Sequence, residues 1–212
     1  TKKEIQNNSI LTPKFISLNY QEIDNKKLFD IFLKFGSFVI KPISSGSSYG
    51  VKILKNEESI VSFLNDYEVY LKIYQKHQKL LIEKFIEGRE LSVSVVERDS
   101  ASYPVEVTEI IPNNSFFDYE SKYTFGLSKH ILPAKLPNHI YNKCKSDAKF
   151  IHDRFKCKGI SRSDFIYDNE NIFFLEINSQ PGLTSTSLLP EQLKYNEISF
   201  DDLILNLIKC AL

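Results

Sequence analysis

Residues 159–187 read GISRSDFIYDNENIFFLEINSQPGLTSTS, two strand-like runs on either side of an Asp- and Asn-rich turn. Successive side chains of a strand point to opposite faces, so Arg162 and Asp164 share one face of the first run. Glu176 and Asn178 share one face of the second run for the same reason. The segment therefore predicts an antiparallel hairpin with polar groups gathered on one face.

The pairing of this hairpin determines which polar groups meet. If the connection is three residues long, Asp164 lies opposite Glu176. Arg162 then lies opposite Asn178, and the other face of the second run packs into the core. The side chains expected on that core face are Phe173, Leu175 and Ile177.

The carboxylates of Asp164 and Glu176 would repel each other unless a cation lies between them. Two carboxylates and the amide oxygen of Asn178 are hard oxygen ligands, which suit Mg²⁺. The alternative is a structural ion pair in which Arg162 alone neutralises both carboxylates. The residues themselves leave both interpretations open.

A second segment, KPISSGSSYGV at 41–51, carries Lys41 at the end of a predicted strand and then a loop of Gly and Ser. Free backbone N–H groups and hydroxyls in such a loop, that of Ser47 among them, suit phosphate. The segment lacks the GK[ST] ending of a P-loop. A plain Gly/Ser hairpin loop is the alternative.

Two further segments carry groups suited to a nucleotide. LIEKFIEGRE at 81–90 places Glu83 and Glu90 on or beside strands, where backbone groups suit an adenine edge and a carboxylate suits ribose hydroxyls. DYESKY at 118–123 puts a lysine among aromatic residues in the stretch 112–130, which has no clear period. That stretch is either a loop that closes over a charged site or a solvated loop.

Composition narrows the classes of protein. The 212 residues include 27 basic and 27 acidic side chains, a balance that argues against a general nucleic-acid binder. No apolar run approaches the roughly 18 residues that a membrane-spanning helix needs. The three cysteines have no CxxC spacing and fit core residues in a reducing cytoplasm. The chain begins at Thr1 and has no methionine, so it is either a piece of a longer protein or a sequence from which methionines are missing.

Helical and strand patterns alternate and indicate an α+β fold in two lobes, 1–87 and 88–212. The predicted helices cover 24–35, 56–74, 137–155 and the C-terminal segment from 199. The predicted strands cover 37–41, 51–54, 80–84, 90–97, 105–111, 159–167 and 171–178.

Taken in order, these segments resemble the D-alanine–D-alanine ligases, a family of ATP-grasp carboxylate–amine ligases. The resemblance runs from about residue 10 to the C-terminus and implies an ATP-grasp fold, two α/β lobes with the nucleotide between them. It also implies that the family's separate N-terminal domain is absent. The matching stretches are KP with GSSYG in 41–50, EKF through Glu in 83–90, FDYESKY at 117–123, GISRSD at 159–164, and LEIN through PGLT to Ser in 175–187.

The resemblance implies roles for ATP-binding and metal-binding residues. The nucleotide set is Lys41, Glu83, Lys84, Phe85, Ile86, Glu90 and Lys122. Lys41 contacts the phosphates, and Lys122 lies on a loop that closes over the γ-phosphate. Adenine is held by Glu83 and the backbone of Phe85 and Ile86, and ribose by Glu90. The metal set is Asp164, Glu176 and Asn178, which bind two Mg²⁺ ions, with Mn²⁺ as an alternative.

The resemblance also implies a reaction. The carboxylate of one D-alanine attacks the γ-phosphate to give an acyl phosphate, and the amine of a second D-alanine attacks the acyl carbon. Arg162 and the N–H of Gly182 stabilise the tetrahedral oxyanion. Ser187 and Leu188 hold the second carboxylate. Ser47 and Tyr123 link the loop to the site, and Tyr123 accompanies alanine as second substrate.

The implied product is D-alanyl-D-alanine for peptidoglycan precursors, made in the cytoplasm by a homodimer of the full-length protein. Another ATP-grasp carboxylate–amine ligase is one alternative, and a nucleotide-binding fragment without turnover is a second. The chain departs from the family in lacking an N-terminal glutamate that orients the first D-alanine and a lysine that contacts ATP upstream of this chain. We therefore expect poor turnover from the 212 residues alone.

Overall fold

The computed structural model describes residues 1–44, 49–77, 79–112 and 128–211. The helices are α1 Lys2–Gln6, α2 Asn25–Phe35, α3 Glu57–Asn65, α4 Tyr67–His77, α5 Asn138–Arg154, α6 Leu188–Tyr195 and α7 Phe200–Ala211. The strands are β1 Phe15–Asn19, β2 Phe38–Pro42, β3 Lys52–Leu54, β4 Lys79–Lys84, β5 Arg89–Arg98, β6 Ala101–Pro112, β7 Ser128–Ile131, β8 Ile160–Tyr167 and β9 Ile172–Asn178.

The described residues form two compact units. The small lobe comprises 13–86, and the large lobe comprises 1–12, 87–112 and 128–211. The expected boundary at 87/88 lies next to this division, but the first residues pack with the large lobe. Ile5 and Ile10 enter its core, and the N–H of Phe174 donates to the carbonyl of Leu11 over 2.8 Å.

The small lobe contains a four-stranded antiparallel sheet in the order β1-β4-β2-β3. Helix α2 begins after Asp24, whose carboxylate accepts the N–H of Lys27 at 2.7 Å, and ends at Gly36 with φ of 68°. A cap of this kind contributes about 1 kcal/mol. The helix buries an apolar stripe at Leu28 and Ile31 against the sheet, as its periodicity predicts.

The helix predicted over 56–74 is two helices, because the chain turns at Asp66 between α3 and α4. No Gly or Pro marks this turn in the sequence. Its cause is tertiary: four rings that lie on both helices pack together with centroids 5.1–6.4 Å apart. These rings belong to Phe63, Tyr67, Tyr70 and Tyr74.

The large lobe contains a five-stranded antiparallel sheet in the order β7-β6-β5-β8-β9. Helix α5 packs on one face and contributes Cys144, Ala148 and Ile151 to the main core. Burial raises the pKa of Cys144 to about 12, whereas Cys157 and Cys210 are only half-buried. Helices α6 and α7 form a second apolar cluster with Val105 and Ile160. Strand β7 overlaps the end of the stretch 112–130, for which the sequence predicts only a loop.

The β8–β9 hairpin has the predicted pairing of Asp164 with Glu176, but it reaches that register differently. Its connection is four residues long, since Tyr167 pairs with Ile172, and a bulge in β9 absorbs the extra residue next to the carboxylate pair. For this reason the core assignment within β9 was wrong for Phe173 and Leu175, whereas Ile177 packs against the core as expected. Ile172 and Phe174 are buried at 1% and 0% exposure, and the expected core residues Phe173 and Leu175 are only half-buried.

Among the helices that the structure describes, none is long and apolar enough to cross a bilayer.

Candidate functional site

In the small lobe, the structure brings Lys41 and Glu83 together. Glu83 lies on the central strand β4, opposite Val39 on β2. Lys41 is two residues further along β2, and its Nζ lies 2.5 Å from Oε2 of Glu83. The Glu83 side chain is 4% exposed and the Lys41 side chain 20%, so a buried carboxylate is held beside a cation that solvent can reach.

After Lys84, the last residue of β4, the chain leaves the sheet. The N–H of Lys84 donates to the carbonyl of Lys14, and the N–H of Phe85 donates to the carbonyl of Ser37, each over 2.8 Å. These two N–H groups are therefore engaged within the lobe. Adenine recognition by this backbone would use the carbonyl of Phe85 and the peptide of Ile86, which is half-buried.

In the large lobe, Asp164 is the centre of a polar cluster on β8. Arg162 donates through Nε to Oδ1 and through a terminal nitrogen to Oδ2, each over 3.0 Å. Ser92 on the neighbouring β5 donates its hydroxyl to Oδ1 over 2.7 Å. Arg162 and Asp164 are 17% and 15% exposed, so the fork is partly open to solvent. A planar guanidinium that donates to both carboxylate oxygens forms a strong and directional interaction.

Two predicted metal ligands lie on β9, opposite this fork on β8. Glu176 is directly opposite Asp164 and exposed, and Asn178 is opposite Arg162. The amide oxygen of Asn178 accepts the N–H of Gln180 at 2.9 Å, which orients it. The β9 bulge lies immediately before Glu176 and restores the face on which it meets Asp164.

The donor set has the chemistry of a Mg²⁺ site, with two carboxylates and an amide oxygen on adjacent strands. Within the described ranges, no group of three or more His, Cys, Asp or Glu side chains could form a metal site by itself. A cation between Asp164 and Glu176 would therefore draw on Asn178 and on oxygens that the protein does not supply. The Arg162 fork is the competing cation, as in the structural ion-pair alternative.

Glu90 belongs to the same face of the large-lobe sheet. It lies on β5, two residues before Ser92, and pairs with Ile166 on β8 and Ile110 on β6. Its side chain is half-buried. The predicted ribose carboxylate and the predicted metal carboxylates are thus on neighbouring strands of one sheet.

The predicted substrate residues lie where the chain enters α6. Ser187 is the N-cap residue, its hydroxyl is 2.8 Å from that of Thr184, and Leu188 behind it is 8% exposed. Gly182 approaches Ser187 so closely that an added Cβ would lie 2.7 Å from the Ser187 hydroxyl. Gly182 is exposed and lies close to the helix N-terminus, a favourable place for a carboxylate.

Three predicted residues, Ser47, Lys122 and Tyr123, lie outside the described residues. Their roles stay predictions.

One polar residue near the site was missed by sequence reasoning. Gln192 on α6 is 0% exposed and bonds to the backbone of Ser92 and Ser94 on β5. A signal was present, because Gln192 interrupts an apolar helical stripe that contains Leu188, Leu189 and Leu193. A polar residue in such a stripe indicates a buried hydrogen-bond network.

The two antiparallel sheets with their helices define a protein of the ATP-grasp class. A D-alanine–D-alanine ligase from Bacillus anthracis superposes with a TM-score of 0.77 at 28% identity, over 99% of this chain and 64% of that one. The same ligase complexed with ATP gives 0.74 at 26% identity over the same shares. A VanG D-Ala:D-Ser ligase from Enterococcus faecalis gives 0.76 at 25% identity, over 99% of this chain and 60% of that one.

Within that class, the chain belongs to the family described as D-ala D-ala ligase C-terminus, whose model matches residues 5–209. It is 38% identical over 174 residues to a D-alanine–D-alanine ligase from Rhodospirillum rubrum, covering 82% of this chain and 54% of that protein. It is 37% identical over 214 residues to the ligase of Pelagibacter ubique, covering 100% of this chain and 66% of that protein. The chain thus spans between half and two thirds of the length of these relatives.

Proposed function

We propose that this chain supplies the nucleotide, metal and second-substrate groups of an ATP-dependent ligase that joins two D-alanines through an acyl phosphate. The observation that carries the proposal is the pairing of Asp164 with Glu176 across β8 and β9, with Asn178 opposite Arg162. This hairpin gathers two carboxylates, an amide oxygen and a guanidinium on one sheet face. Family membership and an ATP-bound structural relative support ATP as the phosphoryl donor.

Phosphoryl transfer needs charge stabilisation rather than a covalent residue, because its transition state is loose. Mg²⁺, held by Asp164, Glu176 and Asn178, would neutralise the ATP phosphates. Lys41 is a compact cation that phosphate oxygens would share with Glu83. The attacking carboxylate of the first D-alanine forms a bond to the γ-phosphorus, and ADP leaves.

The second step is amide formation. The amine of the second D-alanine attacks the acyl carbon and gives up a proton, and inorganic phosphate leaves with that proton when the tetrahedral intermediate collapses. Arg162 and the Gly182 N–H would donate to the oxyanion of that intermediate. The N-terminus of α6, with Ser187 and the Leu188 backbone, would bind the second carboxylate.

The proposal is tested with the natural full-length protein, ATP and Mg²⁺, by measuring phosphate release that depends on D-alanine and by detecting the dipeptide in a mass spectrum. D164N removes one carboxylate charge from the site, so we expect turnover to fall about 100-fold or more. The matched control is D153N, the same change at a carboxylate that is 50% exposed and paired with Lys149. It should stay within twofold of the wild type. Phosphate release that ignores D-alanine, or an unimpaired D164N variant, would overturn the proposal.

A second candidate differs only in the amine substrate. One structural relative is a D-Ala:D-Ser ligase, so D-serine is the competitor to test. A mixture of D-alanine and D-serine, with products separated by mass, distinguishes the two. We expect D-alanyl-D-alanine to predominate, since Tyr123 is the predicted marker of alanine as second substrate.

The proposal includes a cytoplasmic location and a homodimer of the full-length protein. The three cysteines of this chain are free thiols, which fits a reducing compartment. Light scattering of the full-length protein tests the dimer, for which we expect twice the mass of one chain.

A further inference from the structure

Gln192 makes a complete set of hydrogen bonds in the large lobe. Its Oε1 accepts the backbone N–H of Ser94 at 3.0 Å. Its Nε2 donates to the carbonyl of Ser92 over 3.1 Å and to the hydroxyl of Thr108 over 2.9 Å. A primary amide has two N–H donors, so both are used. The side chain is 0% exposed, and every one of these bonds is therefore made without competing water.

The Ser94 end of this bridge lies where the β5–β6 ladder is irregular, whereas Ser92 pairs regularly with Thr108. Val93 pairs with Val107 and Val95 pairs with Pro104, so two residues of β6 stand opposite Ser94. Strands separate at such a bulge, and some backbone groups lose their partner in the ladder. The amide of Gln192 both donates to and accepts from β5, as a neighbouring peptide would. At the bulge, a side chain from helix α6 thus provides the acceptor for the N–H of Ser94.

Ser92 connects this bridge to the carboxylate centre. Its carbonyl accepts from Gln192, and its hydroxyl donates to Oδ1 of Asp164 over 2.7 Å. Gln192 lies one helical turn after Leu188, on the helix whose N-terminus carries Ser187. A short path of hydrogen bonds therefore links the second turn of α6 to Asp164. All groups on the path except Asp164 are uncharged, so the bridge itself does not titrate.

We propose that Gln192 is a positioning residue that fixes the second-substrate end of the site relative to Asp164 through Ser92. This inference rests on the proposed function and extends it to a residue that touches neither substrate nor metal. Losing the bridge lets α6 and the Ser92 peptide move apart. The predicted consequences are weaker binding of the second amino acid and a less well oriented Asp164. Mutation of residues that orient metal ligands in this indirect way typically lowers metal affinity or activity about 10–100-fold.

The test compares Gln192→Met with Leu193→Ala in the natural full-length protein. Methionine has a similar volume and cannot form the bridge. Leu193 is the next residue of α6, is 1% exposed and packs in the apolar cluster without contributing to the bridge. L193A controls for loss of helix packing, and we expect it to lower the melting temperature by about 5 °C or more.

Two readouts separate positioning from stability. We expect Q192M to raise the KM for the second D-alanine about tenfold and the KM for ATP only about threefold, whereas L193A leaves both within twofold. Hydrogen exchange at 91–95 should accelerate in Q192M, because the Ser94 N–H loses its acceptor. Equal kinetic changes in the two variants, or a uniform rise of every KM in Q192M, would overturn the inference.

A third readout does not need the ligase reaction. Mn²⁺ is titrated with a non-hydrolysable ATP analogue, and the bound ion is followed by electron paramagnetic resonance. Q192M should weaken Mn²⁺ binding at least threefold relative to L193A. If the wild-type protein makes no dipeptide, the proposed function fails, and the Mn²⁺ and exchange results then decide the inference alone. Unchanged Mn²⁺ affinity and exchange in Q192M would defeat it.

Discussion

Each lobe brings together a basic and an acidic residue that are predicted to belong to the site, and the two ion pairs are built differently. In the small lobe, Lys41 meets Glu83 through one contact of 2.5 Å, and the glutamate side chain is 4% exposed. In the large lobe, Arg162 meets Asp164 through two bonds of 3.0 Å, and the aspartate is 15% exposed. Asp164 also accepts a hydrogen bond from the Ser92 hydroxyl. One carboxylate is therefore deeply buried, and the other is partly solvated and shared.

This difference indicates which pair can exchange its cation. Removing the partner of a deeply buried carboxylate leaves a charge that water cannot reach, and the cost is large. A partly exposed carboxylate with a second donor tolerates the loss more easily. We infer that Lys41–Glu83 contributes more to folding and that Arg162–Asp164 is better suited to rearrange around substrates. The following predictions test this comparison in order of decreasing effect on stability.

The largest effect is expected for Lys41→Met. The substitution removes the ammonium 2.5 Å from Glu83 and keeps the aliphatic stem, so the buried carboxylate loses one charged partner. We expect the free energy of unfolding to fall by about 3 kcal/mol. Urea unfolding, monitored by hydrogen exchange at the amides of β4, measures this free energy in the small lobe itself.

The control for Lys41→Met is Lys79→Met, because Lys79 is exposed on β4. It should change stability by less than about 0.5 kcal/mol. Equal losses in the two variants would remove the distinction between the buried and the shared pair.

Local signals were sufficient to predict much of the fold. Asp24 before an apolar period and Gly36 after it define α2, because capping and helix termination act within a few residues. The alternation in β8 likewise predicts that Arg162 and Asp164 share a face. The polar groups of the hairpin could be predicted because their faces follow from spacing alone.

The parts that were missed depend on contacts distant in sequence. The turn at Asp66 follows from packing of rings on two helices, and the chain carries no local breaker there. The β9 bulge changes which of Phe173 and Phe174 is buried, and no residue in β9 announces it. Gln192 acts across about a hundred residues of sequence, so its partners on β5 are visible only in the fold.

The second prediction concerns the stability of the large lobe at low pH. We expect His152 to make this stability depend on pH. This residue is 1% exposed, and burial lowers its pKa below the ordinary value of 6.5, outweighing the nearby carboxylates of Asp153 and Glu97. The folded state keeps the ring neutral, and the unfolded chain takes up a proton as the pH falls through 6.5. Stability is therefore complete above that pH and falls below it, with a slope of at most about 1.4 kcal/mol per pH unit.

His152→Asn tests this assignment, because asparagine retains a group near Nδ1 that can bond to Ser161 and does not titrate. Urea unfolding between pH 5 and 8, followed by exchange in α5, should show a flatter pH dependence in the variant. His139→Asn, at an exposed position of the same helix, should keep the wild-type slope. An unchanged slope in His152→Asn would assign the acid sensitivity to other groups.

The third prediction is the counterpart of the first. Arg162→Gln should reduce the free energy of unfolding by only about 1 kcal/mol, because Asp164 keeps the Ser92 hydroxyl and contact with water. Arg98→Gln is the control at a pair that is 79% and 90% exposed, and it should have no measurable effect. A loss of more than about 2 kcal/mol in Arg162→Gln would mean that Asp164 behaves as a buried charge, and the comparison between the lobes would fail.

The smallest stability effect is expected for Gly182→Ala, which alters the large-lobe site without touching either ion pair. The new methyl group would lie 2.7 Å from the Ser187 hydroxyl, so that hydroxyl must rotate and lose its 2.8 Å contact with Thr184. One partly exposed hydrogen bond is worth about 0.5 kcal/mol. The KM for the second amino acid should nevertheless rise about tenfold, since the group displaced is the one proposed to hold its carboxylate. Ser185→Ala, an exposed change in the same loop, should alter neither quantity. If Gly182→Ala left the KM unchanged, Ser187 would serve only as the helix N-cap, and the substrate end of the site would have to be sought closer to Arg162.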